Sequence, residues 1–315
     1  MSLPCVNARF SETVSDDLDH YRAQPGNWNV QATQLGRGRF NSSIRCLQFP
    51  GLIVYDNHWG CGVRVSGESP AGWLMLGASL APSDAPIQWC GRRIGQGRFA
   101  CAGERQAIDF NVQDHASDLV MLIAPELLRR VIGVEAAHGV SLARHLGLGK
   151  AGLEMANEAL VTINHCQSLP HLLDQPIVVA RIYASLLRSL EDCFAQGNAL
   201  TETKKHQRDS VVQSAIARIS EVGMATSAWD MAQAAGVSQK TLELAFREVM
   251  GITPGKYLIL VRLNGVHHQL ADPLNAPLTI ADIANAWGFS HMGRFVHAYR
   301  DLFTELPSET RKKLL

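Results

Sequence analysis

Two short stretches near the C-terminus carry side chains suited to reading the edges of base pairs. The first holds Gln239, Lys240, Thr241 and Glu243; the second holds His291, Met292, Arg294 and His297. A guanidinium binds guanine through two parallel hydrogen bonds, a glutamine amide pairs with adenine, and a carboxylate accepts from the cytosine amino group. Around them stand Ser238, Arg247, Lys256, Arg262, Ser290 and Arg300. These suit phosphate oxygens, contacts that orient a protein on a duplex without specifying sequence. Arg294 is the foremost candidate for a base contact, with Gln239 and Lys240 next. Glu243 stands apart, because a carboxylate repels phosphate; its place is to accept from cytosine or to restrict which sites fit.

These residues recur because the chain repeats itself. SAWDMAQAAGVSQKTLELAFREVMGITP (227–254) and TIADIANAWGFSHMGRFVHAYRDLFTELP (279–307) align at an offset of 52 residues through Ser238 and Ser290, and of 53 afterwards. The change of offset implies one residue inserted in the second helix of the second unit. Each unit opens on a hydroxyl residue with Asp three positions on, Ser227/Asp230 and Thr279/Asp282, the spacing of a reciprocal helix cap. An alanine, Ala232 or Ala284, then marks close helix approach. A glycine, Gly236 or Gly288, supplies the positive φ of a tight turn. Ser238 and Ser290 are the expected N-caps of the following helices. Those helices are anchored at i, i+4 by Leu242/Phe246 and Phe295/Tyr299. This is the pattern of two helix-turn-helix units, whose second helices enter the major groove. GKYLILVRLNGVHHQLADP between them reads as one long helix, with Gly265 as its weak point.

The segments GVSQKTLELAFREVMGITPGKYLILVRLN and IADIANAWGFSHMGRFVHAYRDLFTELPSETR resemble the AraC/XylS family of bacterial transcription regulators over about residues 210–315. The run WGF-x-H-x-GRF, then YR-x-LF and PSET, is similar to regulators of the ethanolamine-operon type. The resemblance implies a β-rich N-terminal domain that binds a small-molecule effector, followed by helices that form a homodimer interface. It also implies double-stranded operator DNA as partner, and RNA polymerase where the protein activates.

The first 200 residues fit that arrangement through strand pattern and placement. From Trp28 to Ile123, apolar and aromatic runs of four to eight residues alternate with turn residues, which predicts an antiparallel β-sandwich or barrel. The fold class expected is therefore α+β: a cupin-like N-terminal β-domain with a helical dimerisation segment, then an all-α pair of helix-turn-helix units. Boundaries are expected at 1–196, 197–210 for the polar linker GNALTETKKHQRDS, and 211–315. Arg45, His58, Trp59 and Trp73 are the candidate ligand contacts, being charged or amphipathic groups within apolar strands. Helical spacing appears in PELLRRVIG, around Leu153–Ile163, and in Gln175–Phe194. The last places Val179, Ile182, Leu186 and Leu190 on one stripe, which serves either dimerisation or packing on the protein's own β-domain.

Composition narrows the remaining classes. The chain has 315 residues, 46% hydrophobic and 18% charged, with no apolar run near the ~20 residues of a membrane span. The N-terminus does not read as a signal peptide. Seven cysteines without CxxC pairing fit reduced thiols in a cytoplasm. Net charge is zero, with 13 Lys+Arg against 11 Asp+Glu in residues 201–315 and 16 against 18 before them. Attraction to phosphate is therefore modest, and affinity is expected to depend on base contacts from both units. No nucleophile elbow, P-loop or dinucleotide fingerprint is present. His267 and His268 are the only neighbouring histidines, so no metal or other cofactor is expected and the protein is not read as an enzyme. Two alternatives remain open: an N-terminal domain that only dimerises or binds a protein, and a metal-free cupin-like enzyme fused to a DNA-binding tail.

Overall fold

Alternation within the N-terminal strands sends residues to two cores. In β3 (Ser42–Phe49) and β4 (Leu52–Trp59), Ile44, Cys46, Ile53, Tyr55 and Trp59 face one way, while Leu47, Phe49, Leu52 and Val54 face the other. The computed structural model describes residues 6–18, 23–80, 87–90, 92–95, 98–142, 145–196, 207–222 and 226–313. In it, β3 and β4 pair antiparallel within a seven-stranded sheet. Its strand order is β1 (Arg9–Ser15), β3, β4, β11 (Ser117–Ile123), β6 (Leu74–Ser79), β9 (Arg98–Ala102) and β12 (His145–Gly147). A second sheet of five strands runs β2 (Asn29–Gln34), β5 (Val63–Glu68), β10 (Ala107–Val112), β7 (Ile87–Trp89) and β8 (Arg92–Ile94).

The two sheets face each other across an aromatic-rich core that includes Trp28, Tyr55, Trp59, Trp89 and Phe110. The outer face of the larger sheet is covered by α1 (Pro125–Ile132), α2 (Val134–Leu142), α3 (Gly149–Ser168) and α4 (Pro176–Gln196). Both faces of its central strands are thus dry, though the edge strand β1 stays largely exposed, so the central strands lack the apolar-in, polar-out signature of a half-exposed sheet. Val179, Leu186 and Leu190 on α4 are buried within this second core, and Ile182 is partly so. The stripe offered for dimerisation is therefore occupied by the protomer's own packing, a correction to that assignment of residues.

The C-terminal part is all helical: α5 (Gln207–Val222), α6 (Ala228–Ala234), α7 (Gln239–Met250), α8 (Pro254–Ala271), α9 (Ile280–Ala286), α10 (Met292–Phe303) and α11 (Pro307–Lys312). Of the expected linker, residues 197–206 lie outside the described residues and 207–210 already belong to α5. Two cores serve this part. One gathers α5, α6, α7 and the start of α8; the other gathers the rest of α8 with α9 and α10. Gly265 does not break α8, which is continuous over 18 residues, or about 27 Å at 1.5 Å per residue. No described helix is long and apolar enough to cross a membrane.

Candidate nucleic-acid interface

Both units are fixed by caps written in their sequence. Ser227 and Thr279 accept from the backbone N–H of Asp230 and Asp282, whose carboxylates accept from the cap backbone in return. Each reciprocal pair satisfies two orphan donors at a helix start. Hydrogen bonds from Ser227 and Thr279 also hold the two aspartates below the usual carboxylate range. Gly236 and Gly288 turn the chain at φ of 65° and 83°.

In the first unit Ser238 caps α7 as expected, accepting from the Thr241 N–H at 3.1 Å. The second unit departs from expectation. His291, not Ser290, is the N-cap of α10, without a side-chain cap bond. Three residues lie between Gly288 and the start of α10, where two lie between Gly236 and the start of α7. The extra residue is therefore in the turn rather than in the second helix, which moves Ser290 out of the capping position.

Gln239, Lys240, Thr241, Glu243 and Leu244 lie exposed on α7, while Leu242 and Phe246 point into the core. On the second unit Arg294 and His297 are exposed on α10, with His291 at its start. Met292 is half-buried and packs with the core of its unit, so it is spent largely on packing. Glu243 accepts from the Arg247 guanidinium at 2.8 and 3.2 Å, one helical turn on. An exposed pair of this kind is worth only a few tenths of a kcal/mol to the helix. Its larger consequence is electrostatic, since Arg247 offsets the Glu243 charge that would repel phosphate. His297 and Asp301 stand 3.3 Å apart in the same i, i+4 relation.

Among the phosphate candidates Ser238, Arg247, Lys256, Ser290 and Arg300 are exposed. Arg262 is not. Its Nη2 donates to the Thr226 carbonyl at 3.1 Å, just before the first unit, and its guanidinium lies beside Gly288 in the turn of the second. Arg262 therefore braces the two units, and its half-burial between them takes much of it off the surface.

His267, read only as one of two neighbouring histidines, is packed at 4.5 Å from the Phe303 ring and stacked on Tyr299, with its Nε2 3.5 Å from Glu305. Burial pushes its pKa down to about 4. An unfolded histidine titrates near 6.5, so between pH 6.5 and 4 the unfolded chain takes a proton that the native state refuses. Stability is lost as pH falls through that window, by roughly 2–3 kcal/mol on this group. Replacing His267 by Phe should remove that loss, seen as a smaller drop in urea midpoint between pH 7 and 4.5 than in the parent. Equal drops in the two proteins would count against it. Asp118, raised by burial, acts in the opposite direction in both proteins, so its contribution cancels from the comparison.

The four candidate ligand contacts do not converge. Arg45 donates to Asp56 through Nε and Nη2, and through Nη1 to Asn164 and Gln167 of α3 at 2.6 and 2.8 Å. His58 lies 2.7 Å from Ser117 Oγ and 3.3 Å from Asp56. Burial would raise the Asp56 carboxyl, but hydrogen bonds from His58 and Arg45 outweigh it and hold the group low. This network clips α3 onto the outer face of the large sheet, away from the sandwich interior. Trp73 lines an outer cleft with Glu104 and His138.

Trp59 is buried in the core between the sheets, against which Trp73 packs only in part. The Trp59 Nε1 donates to Asp118 at 2.6 Å, while Asn57 donates to the other carboxylate oxygen at 2.7 Å. Burial lifts the Asp118 carboxyl to about 6, in spite of both donors. Asp118 forms one wall of a cavity of about 30 Å³ that is otherwise largely apolar, including Trp28, Met75, Trp89, Phe110 and Val120, with Ser79 the other polar residue. The sequence carried one signal for it, an Asp in step with the inward Val120 and Leu122 of β11. Among the described residues no three His, Cys, Asp or Glu side chains come together as a metal site.

Residues 231–313 match the family model described as a helix-turn-helix domain. Over 74 residues the chain is 36% identical to the regulatory protein HrpB of Ralstonia nicotianae, which covers 24% of this chain and 16% of that protein. Over 83 residues it is 36% identical to the XylDLEGF operon transcriptional activator of Pseudomonas putida, covering 26% of each. A probable AraC family transcriptional regulator from Rhodopseudomonas palustris, known as a crystal structure, is 30% identical, with 33% of this chain and 96% of that one covered and a TM-score of 0.31. The match thus spans about a quarter or less of the length of these two curated relatives. Through this pair of helix-turn-helix units and the relatives that share them, residues 231–313 form a helix-turn-helix domain of the AraC/XylS type.

Proposed function

We propose that this protein is a sequence-specific DNA-binding transcription regulator, an activator, whose β-sandwich senses a small molecule. The observation that carries the reading is the pair of capped units on one 18-residue helix, each presenting an exposed polar second helix. A stiff spacer of that length lets two reading helices occupy successive turns of the major groove, so one protomer reads an asymmetric site. Base contacts come from Gln239, Lys240, Thr241 and Glu243 on the first helix, and from His291, Arg294 and His297 on the second. Ser238, Arg247, Lys256, Ser290 and Arg300 hold phosphates. Activation is supported by the name of the Pseudomonas putida relative, and it implies contact with RNA polymerase in the cytoplasm. Tight operator binding uses a homodimer, because the near-neutral charge supplies little non-specific attraction.

For the effector, the cavity bounded by Trp28, Trp89, Phe110 and Asp118 is the site. At about 30 Å³ it is small, so entry requires its aromatic walls to part. That size is also what favours the second reading, in which the sandwich only dimerises or binds a protein. Thermal shifts against a metabolite panel separate the two, because a ligand specific to the native state raises stability by mass action.

Selection of bound duplexes from a randomised pool tests the DNA reading, with a two-part consensus as the expected result and no enrichment as the result against it. On the selected site, Arg294→Ala should cost ~1–3 kcal/mol, about 5- to 150-fold in affinity, and relax one base position. Equal affinities of variant and parent across a mismatch series would remove Arg294 from the reading set.

A further inference from the structure

Between the two units the DNA-binding part makes few contacts of its own. Each unit packs on a different stretch of α8, the first around Tyr257 and Leu258, the second around Leu260, Leu263, Val266 and Leu270. The shared helix fixes their separation along its axis, yet it leaves their tilt about that axis to side-chain braces. Ile252 packs against both cores, and Arg262 spans from Thr226 to the turn at Gly288. The remaining brace comes from the β-domain, some 230 residues away in sequence.

There, the edge strand β2 ends at Gln34, and the buried Asn264 of α8 lies against it as a neighbouring strand would. The Gln34 N–H donates to Asn264 Oδ1 at 2.8 Å, and Asn264 Nδ2 donates to the Gln34 carbonyl at 3.0 Å. The Gln34 side chain then reaches the second unit. The two hydrogens of its Nε2 are shared among the carbonyls of Gly36, Gly38 and Leu302 at 3.0, 2.6 and 3.1 Å, Leu302 being in the last turn of α10. The Gly38 N–H donates to the same Leu302 carbonyl at 2.9 Å. Leu35 packs against the cores of both units. Gln34 is 1% exposed and Asn264 4%. Buried amides held by several partners at once specify one arrangement, because any other leaves polar groups dry and unpaired.

We infer that Gln34, with Asn264 as its receiver, is a positioning residue for DNA reading: the sandwich domain sets the angle between the two reading helices and so the spacing of the two base-pair subsites. This rests on the proposal that both units read DNA. It assigns the β-domain a part in sequence choice, through the same strand whose start adjoins Trp28 on the cavity wall.

The test is duplex selection with the full-length chain, from a pool in which two random blocks are separated by a variable number of base pairs. The parent should enrich one spacing at least tenfold over its neighbours. Gln34→Ala, which removes the side-chain tie to Leu302 and leaves only that of the Gly38 N–H, and Asn264→Ala, which removes the tie to β2, should each keep both subsite sequences. Both should spread the spacing, with the preference for the parental value falling about fivefold or more, the scale of one or two lost hydrogen bonds. Retained subsites show that both units are folded, so a merely destabilising effect would leave the spacing profile unmoved. An unchanged spacing profile in both variants overturns the inference while leaving the DNA reading intact. No enrichment by the parent itself overturns both.

Discussion

Replacing Asp109 by Ala is expected to cost the protein about 3–5 kcal/mol, a large part of the stability of an ordinary domain. Asp109 on β10 accepts from Arg64 on β5 through Nε at 2.8 Å and Nη2 at 3.1 Å. Arg64 also donates to the Tyr257 hydroxyl of α8 at 2.7 Å and lies over that ring, and Gln213 of α5 donates to Asp109. The guanidinium is enclosed: burial works against its charge, and attraction to Asp109 then Tyr257 more than restores it, leaving its pKa above the ordinary arginine value. Removing the carboxylate leaves a cation with no counter-charge where water does not reach, and that penalty exceeds the net worth of the pair. The readout is the urea midpoint of the full chain. A companion variant sharpens it. Arg64→Met with Asp109→Leu should recover most of the loss, since apolar groups of similar volume replace buried ion pairs at little cost. If Asp109→Ala alone stays within about 1 kcal/mol of the parent, the guanidinium finds water or another partner and the junction is looser than its geometry indicates.

That junction marks the boundary of what could be read in the sequence. The two units were legible because every device that defines them is local. Ser227 with Asp230, Gly236, Ser238, and Leu242 with Phe246 act within a few residues of one another, and a second copy repeats them. The β-domain was legible as alternation, but the faces of its strands were not. Arg45 and His58 are polar residues in apolar strands, and such residues mark either a cavity or a clip between layers. Since both faces of the large sheet's central strands are covered, polarity could not tell the two apart. The stripe on α4 posed the same difficulty, because amphipathicity states that a face is covered and not by which partner. Arg262 and Met292 were assigned from position on a helix, whereas their burial depends on the other unit's turn and on core packing. Contacts such as Gln34 with Asn264 leave no trace in either local segment, and only the folded chain brings them together.

Gly265 shows the converse case, a residue whose meaning reverses once its neighbour is known. In the sequence it weakens a helix by about 1 kcal/mol relative to alanine. In the fold it is buried in the middle of α8, and a Cβ placed there would lie 2.0–2.3 Å from ring atoms of Trp287. Trp287 is the C-cap of α9, in the turn that sets the entry to α10, and its Nε1 donates to Gln269 of α8 at 3.0 Å. The missing side chain is what lets α9 and its turn lie against the linker helix. Gly265→Leu adds a good helix former, so propensity predicts a gain, while the clash predicts a loss of about 3 kcal/mol at the upper end of overpacking costs. The steric effect should win, because the ring is tied at Nε1 and cannot swing away without breaking that bond. The damage should also be local. The first unit, with its own core, should still enrich its subsite in duplex selection, while the second subsite fades as the turn before Arg294 is displaced. Gly265→Ala should fall between, with its propensity gain offsetting part of the clash. Pairing Gly265→Leu with Trp287→Ala, which vacates the space, should return much of the stability. A Gly265→Leu protein as stable as the parent, with both subsites retained, would show that α9 can ride outward on α8 and that the close approach is not required for reading.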